Sequence, residues 1–112
     1  MSDVRPTIID YFGCEPLEGS EHGLRLRGEL DIASAPTLRE AWDGLGGERQ
    51  ITLDLAELTF IDSSGLHALV EYADGNGAQG PLILRNVSEP IFRVLHITGL
   101  DASPTLEIHG AA

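Results

Sequence analysis

The tetrapeptide Asp62-Ser63-Ser64-Gly65 is the part of the sequence whose residue types and spacing could support chemistry. It follows a β-type segment and precedes apolar residues at helical spacing, so both hydroxyl groups fall at the start of a predicted helix. Free backbone N–H groups and the helix dipole favour an anion there by about 0.3–1 kcal/mol. A phosphate group would therefore be accommodated, although the same residues could serve only as a helix N-cap.

Serine hydrolysis is an alternative interpretation of the same helix. Ser63, His67 and Glu71 succeed one another at four-residue spacing, which places a hydroxyl, an imidazole and a carboxylate on one face. A catalytic triad needs convergent side chains and an oxyanion hole, usually from different elements. The Gly-x-Ser-x-Gly elbow is also absent from the sequence. We therefore expect a protein that is not an enzyme and has no catalytic residues.

Histidine and tryptophan give no sign of a cofactor. The four histidines are scattered over a predicted loop, two helices and the C-terminal tail, and no pair combines with a third ligand. Neither a metal site nor a bound cofactor is predicted. Trp42 lies at helical spacing with apolar residues and is predicted to pack in the core.

Composition narrows the class of protein further. The chain has 112 residues, 42% hydrophobic and 22% charged, which is typical of one globular domain covering residues 1–112. All seven basic residues are arginine, so a Walker-loop lysine, a pyridoxal Schiff base and a protein-kinase strand lysine are excluded. The net charge of −11 argues against nucleic-acid and anionic-membrane binding, because both require clustered basic groups.

Cysteine content and the N-terminal residues indicate the compartment. Cys14 is the only cysteine, so an internal disulfide and a cysteine-based zinc cluster are excluded. The N-terminal residues lack the basic patch and apolar run of a signal peptide. No window approaches the roughly 18 consecutive apolar residues of a spanning helix. We expect a cytoplasmic protein without membrane insertion.

Hydrophobic patterning predicts an α/β fold. Predicted strands cover residues 7–12, 24–30, 51–56, 82–87 and, as a short terminal strand, 106–108. Helix start signals at Ser34, at Asp62-Ser63-Ser64 and at Ser88 or Glu89 predict three helices between the later strands. The order indicates a mixed sheet of four to five strands with an N-terminal β-hairpin, followed by parallel strands. Strand 24–30 has one polar side, so the helices are expected to pack mainly on one face of the sheet.

The second predicted helix should bury an apolar stripe and end early. The stripe consists of Leu66, Leu69, Val70 and Ala73. Spacing of this kind is typical of an amphipathic helix packed on a sheet. The following Asp74-Gly75-Asn76-Gly77 tract is a poor helix sequence, so the helix is expected to fade before it.

Several short segments have the order and spacing of a known family. They are Gly28-Glu29-Leu30-Asp31, Leu53-Asp54-Leu55, Phe60-Ile61-Asp62-Ser63-Ser64-Gly65-Leu66 and Thr98-Gly99-Leu100. Together they resemble the sulfate-transporter and anti-sigma-antagonist (STAS) domain, specifically the stand-alone bacterial anti-sigma factor antagonists. The resemblance extends from about residue 7 to residue 108 and implies a STAS-like fold with a role in transcription regulation.

The resemblance also implies a partner-switching mechanism. Ser63 would be phosphorylated by the partner anti-sigma factor, itself a serine kinase, and a PP2C-type phosphatase would reverse the modification. The unphosphorylated protein would bind the anti-sigma factor and free the sigma factor, and phosphorylation would end the binding. Besides Ser63, the residues expected at the partner surface are Asp31, Asp62, Ser64, Gly65 and His67.

Two further residues of the segment are assigned by the resemblance. Ser64 is expected to cap the helix, and His67 stands where these proteins usually carry a small residue.

A scaffold is the alternative role of the fold. STAS domains also serve as non-catalytic scaffolds or as subunits of larger assemblies, such as stress-sensing particles and lipid-transport complexes. Some of those domains lack a phosphorylatable serine, so the presence of Ser63 favours the switch over the scaffold.

Overall fold

The computed structural model of the protein describes residues 11–47, 49–76 and 79–111. These residues form five strands, three α-helices and a short 3-10 helix. In chain order the elements are β1 (Phe12–Pro16), β2 (Gly23–Leu30), α1 (Ala35–Asp43), β3 (Thr52–Ile61), α2 (Ser63–Gly75), β4 (Leu82–Val87), α3 (Glu89–Ile97), the 3-10 helix (Leu100–Ala102) and β5 (Leu106–Gly110). The predicted alternation after an initial hairpin is confirmed, and the fifth strand is present.

The strands form one mixed sheet whose spatial order follows the chain order from β1 to β5. β1 pairs with β2 in the antiparallel orientation, and each later strand is parallel to its predecessor. A parallel connection needs a crossover, and each crossover here carries one helix. Because the C-terminal ends of parallel strands share one edge, the residues that follow β2 and β3 meet there.

The helices share a single hydrophobic core with one face of the sheet. Leu38 of α1, Leu69 of α2 and Leu95 of α3 are almost fully enclosed. They belong to the same cluster as buried strand residues such as Leu26 and Leu53. The predicted packing of the helices mainly on one face is confirmed.

The opposite face of the sheet carries charges of alternating sign. In the strand register Glu15 lies beside Arg25, Arg25 beside Asp54, and Asp54 beside Arg85. Asp54 Oδ2 lies 3.4 Å from Arg85 Nη2 and 4.0 Å from Arg25 Nε. Burial alone would raise the pKa of Asp54, but hydrogen bonds from the Ala56 N–H, an asparagine amide and Arg85 outweigh it and lower the pKa. Paired charges thus keep this face polar.

Two strand boundaries differ from the prediction. The residues predicted as the first strand lie mostly outside the described ranges, and β1 occupies residues 12–16, which overlap the predicted strand 7–12 only at Phe12. Cys14 pairs with Leu26 and packs against the core, which explains the strand there. β3 continues to Ile61 because two bulges each insert an extra β3 residue opposite β2. Because of the bulges, Leu58 and Ile61 point into the core although buried and exposed side chains do not alternate strictly along β3.

Helix predictions need smaller corrections. α2 extends to Gly75 and does not fade before Asp74. Buried Tyr72 and Ala73 anchor its last turn. Val70 is only half-buried, at the margin of the predicted stripe. Trp42 is also half-buried rather than central, and its ring stacks on Tyr72 with a centroid distance of 4.5 Å.

Candidate functional site

The start of α2 is fixed by Asp62, which is the N-cap residue. Its Oδ1 accepts a hydrogen bond from the Gly65 N–H at 3.0 Å. The Asp62 N–H donates to the Leu30 carbonyl at 3.1 Å, which ties this turn to the end of β2. The expectation that Ser64 caps the helix is therefore wrong. A carboxylate one residue before the helix satisfies the free N–H, as N-cap aspartates do.

Gly65 allows the first turn of α2 to lie against the sheet. A Cβ atom at this position would lie 2.8 Å from Leu30 Cγ, from the Leu30 carbonyl oxygen and from Ile61 Cγ1. Contacts that short do not occur for real Cβ atoms, so only glycine fits. Gly65 is itself buried. Contrary to the expectation, Gly65 is therefore not exposed to a partner but supports the turn from below.

Asp31 follows β2 at the same edge, because Leu30 and Ile61 are register partners in β2 and β3. The two turns are also joined by the hydrogen bond from Asp62 to Leu30. Asp31 and the start of α2 thus lie side by side, in line with the expectation that both belong to one surface. The Asp31 side chain is half-buried, so it can contribute only part of its surface to a partner.

A compact hydrogen-bond network holds the Asp31 turn. Asp31 Oδ1 accepts from the Tyr11 hydroxyl at 2.7 Å, the Ala33 N–H at 3.0 Å and the Ser34 N–H at 3.1 Å. The buried Ser34 hydroxyl accepts from the Asp31 N–H at 2.9 Å and donates to the Glu29 carbonyl at 2.8 Å. The Tyr11 hydroxyl is the largest cause of the lowered pKa of Asp31, and Asp31 in turn raises the pKa of Tyr11. These bonds fix the entry into α1.

Gly28 brings Tyr11 within reach of this network. It has a φ of +89°, and a Cβ atom there would lie 1.9 Å from the Tyr11 carbonyl oxygen. That carbonyl accepts a hydrogen bond from the Glu29 N–H at 2.9 Å. Both the left-handed backbone and the close approach require glycine. Sequence reasoning missed Tyr11 because nothing in a lone tyrosine before a strand indicates a bond to Asp31, 20 residues later.

The two serines at the start of α2 differ in exposure. Ser63 is exposed, and Ser64 is half-buried. Within the described ranges neither hydroxyl makes a hydrogen bond to the protein. Ser63 is the first residue of the helix, where the positive end of the dipole lies. Its hydroxyl is therefore available from solvent and sits where an added anion is tolerated.

A shallow groove of about 370 Å³ runs between α1 and α2 beside the serines. Its lining includes Ile32, Pro36, Ser64, His67 and Glu71. The Ile32 side chain, which sequence reasoning also missed, is 74% exposed. A single apolar residue in a turn gives no sequence signal for such exposure. The groove therefore presents apolar surface beside Ser64, the residue that follows Ser63.

Charged side chains line the far side of the groove. His67 Nε2 lies 3.4 Å from Glu71 Oε2, and Glu71 Oε1 lies 3.5 Å from Arg39 Nη2 on α1. The Arg39 guanidinium lies over the Tyr72 ring, 5.4 Å from its centroid. The expected surface position of His67 agrees with its exposure. Its ring contacts Glu71 and makes no hydrogen bond to Ser63, so the described residues do not assemble a triad.

Other kinds of site find no support in the described residues. No group of three or more histidine, cysteine, aspartate or glutamate side chains in residues 11–47, 49–76 and 79–111 could hold a metal ion. In the same part of the chain, no helix combines the length and apolar character needed to cross a membrane.

Comparisons with known proteins agree with this arrangement. The family model described as "Mlab, STAS domain" matches residues 15–108. The anti-sigma-B factor antagonist of Listeria monocytogenes is 36% identical over 76 residues, which cover 65% of this chain and 67% of that protein. The corresponding antagonist of Bacillus subtilis is 34% identical over 79 residues, covering 69% and 72%.

Solved structures show the same fold. Unphosphorylated SpoIIAA, an anti-sigma factor antagonist, has a TM-score of 0.67 and 27% identity over 87% of this chain and 86% of that one. Phosphorylated Bacillus SpoIIAA has a TM-score of 0.58 and 25% identity, with coverages of 87% and 89%. From the capped helix start, the glycines that support it and these relatives, we conclude that the chain belongs to the STAS domain family, among relatives that are anti-sigma factor antagonists.

Proposed function

We propose that this protein is an anti-sigma factor antagonist whose binding is switched off by phosphorylation of Ser63. Unphosphorylated, it binds an anti-sigma factor and thereby frees the sigma factor. The observation that carries the proposal is the exposed Ser63 side chain at the start of a capped helix, directly before Ser64, which lines the groove. The names of the curated relatives support the antagonist role.

The switch follows from where the charge would be placed. Phosphorylation adds roughly −1.5 to −2 charges near pH 7. At Ser63 these charges are compatible with the helix dipole, so the monomer keeps its fold. They also arrive directly after Asp62, whose turn is hydrogen-bonded to Leu30 beside Asp31. A partner surface packed against a neutral hydroxyl would have to desolvate this charge without compensation, which opposes binding.

The proposal includes two enzymes that act on this protein, which is itself a binding protein and no enzyme. The anti-sigma factor acts as the serine kinase, and a PP2C-type phosphatase removes the phosphate. The existence of SpoIIAA in an unphosphorylated and a phosphorylated form supports a phosphorylation switch among the relatives. The whole cycle is placed in the cytoplasm, where ATP and the sigma factor are available.

Variants of Ser63 test the switch directly. Ser63→Ala should resist phosphorylation and keep its affinity for the anti-sigma factor in calorimetry. Ser63→Asp should lose about 30-fold or more in affinity, because a charge is left unpaired in the interface. Ser20→Asp, which adds the same charge to the exposed turn between β1 and β2, is the matched control and should bind normally.

Mass spectrometry after incubation with the cognate kinase and ATP locates the phosphate. A label on Ser64 would move the assignment by one residue. Full binding by Ser63→Asp, together with full binding by the phosphoprotein, would disprove the switch.

A scaffold role is the second candidate, because the matching family model carries the name Mlab rather than that of an antagonist. In this case the domain would be a non-catalytic subunit of a larger assembly, such as a lipid-transport complex. Copurification with a transporter ATPase, without phosphate transfer from any serine-kinase anti-sigma factor, would favour it. Transfer of phosphate to Ser63 by such a kinase would favour the antagonist.

A further inference from the structure

His67 lies on the same face of α2 as Ser63, four residues further along the helix. Side chains at this spacing have Cβ atoms about 5–6 Å apart, and helical side chains lean toward the N-terminus. Ser63 and Glu71 are thus the two neighbours of His67 on this face, and its ring contacts Glu71 in the unphosphorylated protein. Its side chain is 74% exposed, so the ring can reorient without displacing the core. An anion carried by Ser63 would be within its reach.

The two ring nitrogens of His67 are in different situations. Nε2 faces Glu71 Oε2 at 3.4 Å, whereas Nδ1 has no hydrogen-bond partner within residues 11–47, 49–76 and 79–111. A neutral imidazole can donate from only one nitrogen, and the imidazolium donates from both. A ring that donates to Glu71 and to a fully ionised phosphate on Ser63 at the same time is therefore the imidazolium. Two acceptors on either side of the ring favour that charged form.

Among the charged side chains around the ring, His67 is the cation that remains available to an anion on Ser63. On α2 the ring faces Glu71, and Tyr72 follows directly. From α1, Arg39 reaches Glu71 Oε1 at 3.5 Å and lies over the Tyr72 ring. Arg39 thus already pairs with a carboxylate, and it holds Glu71 in place beside His67. The carboxylate and a phosphate on Ser63 would enclose the imidazole from both sides.

We propose that protonated His67 is the intramolecular ligand of the phosphate on Ser63, so that the phosphorylated state takes up a proton and its charge depends on pH. The inference rests on the proposed phosphorylation of Ser63. Phosphoserine has a second pKa of about 6, and free histidine side chains titrate near pH 6.5, so both groups change charge over the same range. The phosphorylated helix start is then less negative at about pH 6 than at about pH 8.

The test uses the full chain with phosphoserine installed at position 63 during translation, so that no kinase is needed. Phosphorus NMR follows the phosphate, and nitrogen-edited NMR follows the four histidines. We expect phosphorylation to move the His67 titration midpoint to higher pH by about half a unit, the size of an exposed ion pair. His22, at the opposite edge of the sheet beside Thr52, is the internal control and should not move.

His67→Gln keeps a polar side chain and removes the charge. Helix dipole and backbone effects remain in this variant, so comparison with the unsubstituted phosphoprotein isolates the imidazole. We expect the phosphate of His67→Gln to titrate at higher pH, because a neighbouring cation no longer favours the dianion. Arg39→Gln serves as a second comparison, since Arg39 is the other cation of the groove.

The outcomes separate this inference from the proposed function. An unmoved His67 midpoint, or the same phosphate midpoint in His67→Gln, overturns the inference even where phosphorylation still abolishes anti-sigma factor binding. A midpoint that changes only in Arg39→Gln assigns the phosphate to Arg39 and overturns it as well. A His67-dependent midpoint in a phosphoprotein that still binds its partner overturns the proposed switch and leaves the inference standing.

Discussion

Two helix starts lie side by side at the C-terminal ends of β2 and β3, and they use the same residue types differently. Each has an aspartate directly after its strand and a serine close behind. Asp31 Oδ1 accepts hydrogen bonds from three residues, and the Ser34 hydroxyl is buried and bonded on both sides. Asp62 Oδ1 accepts only the Gly65 N–H among the described residues, and Ser63 is exposed.

The difference shows how the same residue types can hold one helix start in place and leave a hydroxyl exposed at the other. The buried Ser34 hydroxyl at the α1 start donates to the Glu29 carbonyl and accepts from the Asp31 N–H, so a modification there would break buried hydrogen bonds. The α2 start keeps its cap on the carboxylate of Asp62, which leaves the Ser63 hydroxyl free to change without loss of a bond. The hydrogen bond from the Asp62 N–H to the Leu30 carbonyl holds the two helix starts together.

Substitution of Gly28 should disturb the α1 start most. Gly28→Ala places a methyl group about where the Tyr11 carbonyl oxygen lies and strains a φ of +89°. We expect a loss of about 3 kcal/mol or more in the free energy of unfolding, from strain and overpacking together. Gly19→Ala is the matched control, because its φ of +71° is also positive but no atom lies within 4 Å. Its expected cost is about 1 kcal/mol, and equal losses in urea melts would contradict the close approach.

The two serines should respond differently to removal of the hydroxyl. Ser34→Ala leaves the Asp31 N–H and the Glu29 carbonyl without their partner, at an expected cost of about 1–3 kcal/mol. Ser63→Ala removes an exposed hydroxyl and should change stability by less than about 0.5 kcal/mol. Denaturant unfolding of the two variants measures both values. A loss above 1 kcal/mol for Ser63→Ala would reveal a structural role for that hydroxyl.

The identity of the α2 cap gives a smaller contrast. Asp62→Ala removes the acceptor of the Gly65 N–H and should cost about 1 kcal/mol. Ser64→Ala should change stability by less than about 0.5 kcal/mol, since its hydroxyl makes no bond within the described residues. Thermal melts of both variants decide the assignment. The reverse order would return the cap to Ser64.

Local patterns in the sequence were enough for most of the fold. Strand β4 occupies the predicted residues 82–87, because the apolar residues Leu82, Ile83, Leu84 and Val87 fall between Pro81 and Ser88 and favour a short strand. β3 was predicted too short, since its bulges place Leu58 and Ile61 in the core out of the period-two pattern. A bulge depends on the partner strand, and a single sequence does not display that partner.

The candidate site, like the fold, could be predicted only in part from the sequence. Its Asp-Ser-Ser-Gly segment and the nearness of Asp31 follow from the order of strands and helices, so the sequence predicts them. The choice of Asp62 over Ser64 as cap depends on backbone angles that both residues could adopt. The role of Tyr11 depends on a contact across 20 residues, made possible only by the backbone at Gly28.

Acid titration tests the hydrogen bonds that distinguish the α1 start. The Tyr11 hydroxyl is the main cause of the lowered pKa of Asp31, so Tyr11→Phe should raise that pKa toward its ordinary value. A carboxylate with a lowered folded-state pKa adds stability above its unfolded pKa and loses it as the pH falls through the folded pKa. The α1 start should therefore lose stability at a higher pH in Tyr11→Phe than in the unsubstituted protein.

Carbon NMR of the carboxyl groups measures the titration midpoint of Asp31. Asp54, on the face of the sheet opposite the helices, is the control, and its lowered pKa should stay unchanged. An Asp31 midpoint that does not move in Tyr11→Phe would show that the backbone N–H groups alone hold the turn.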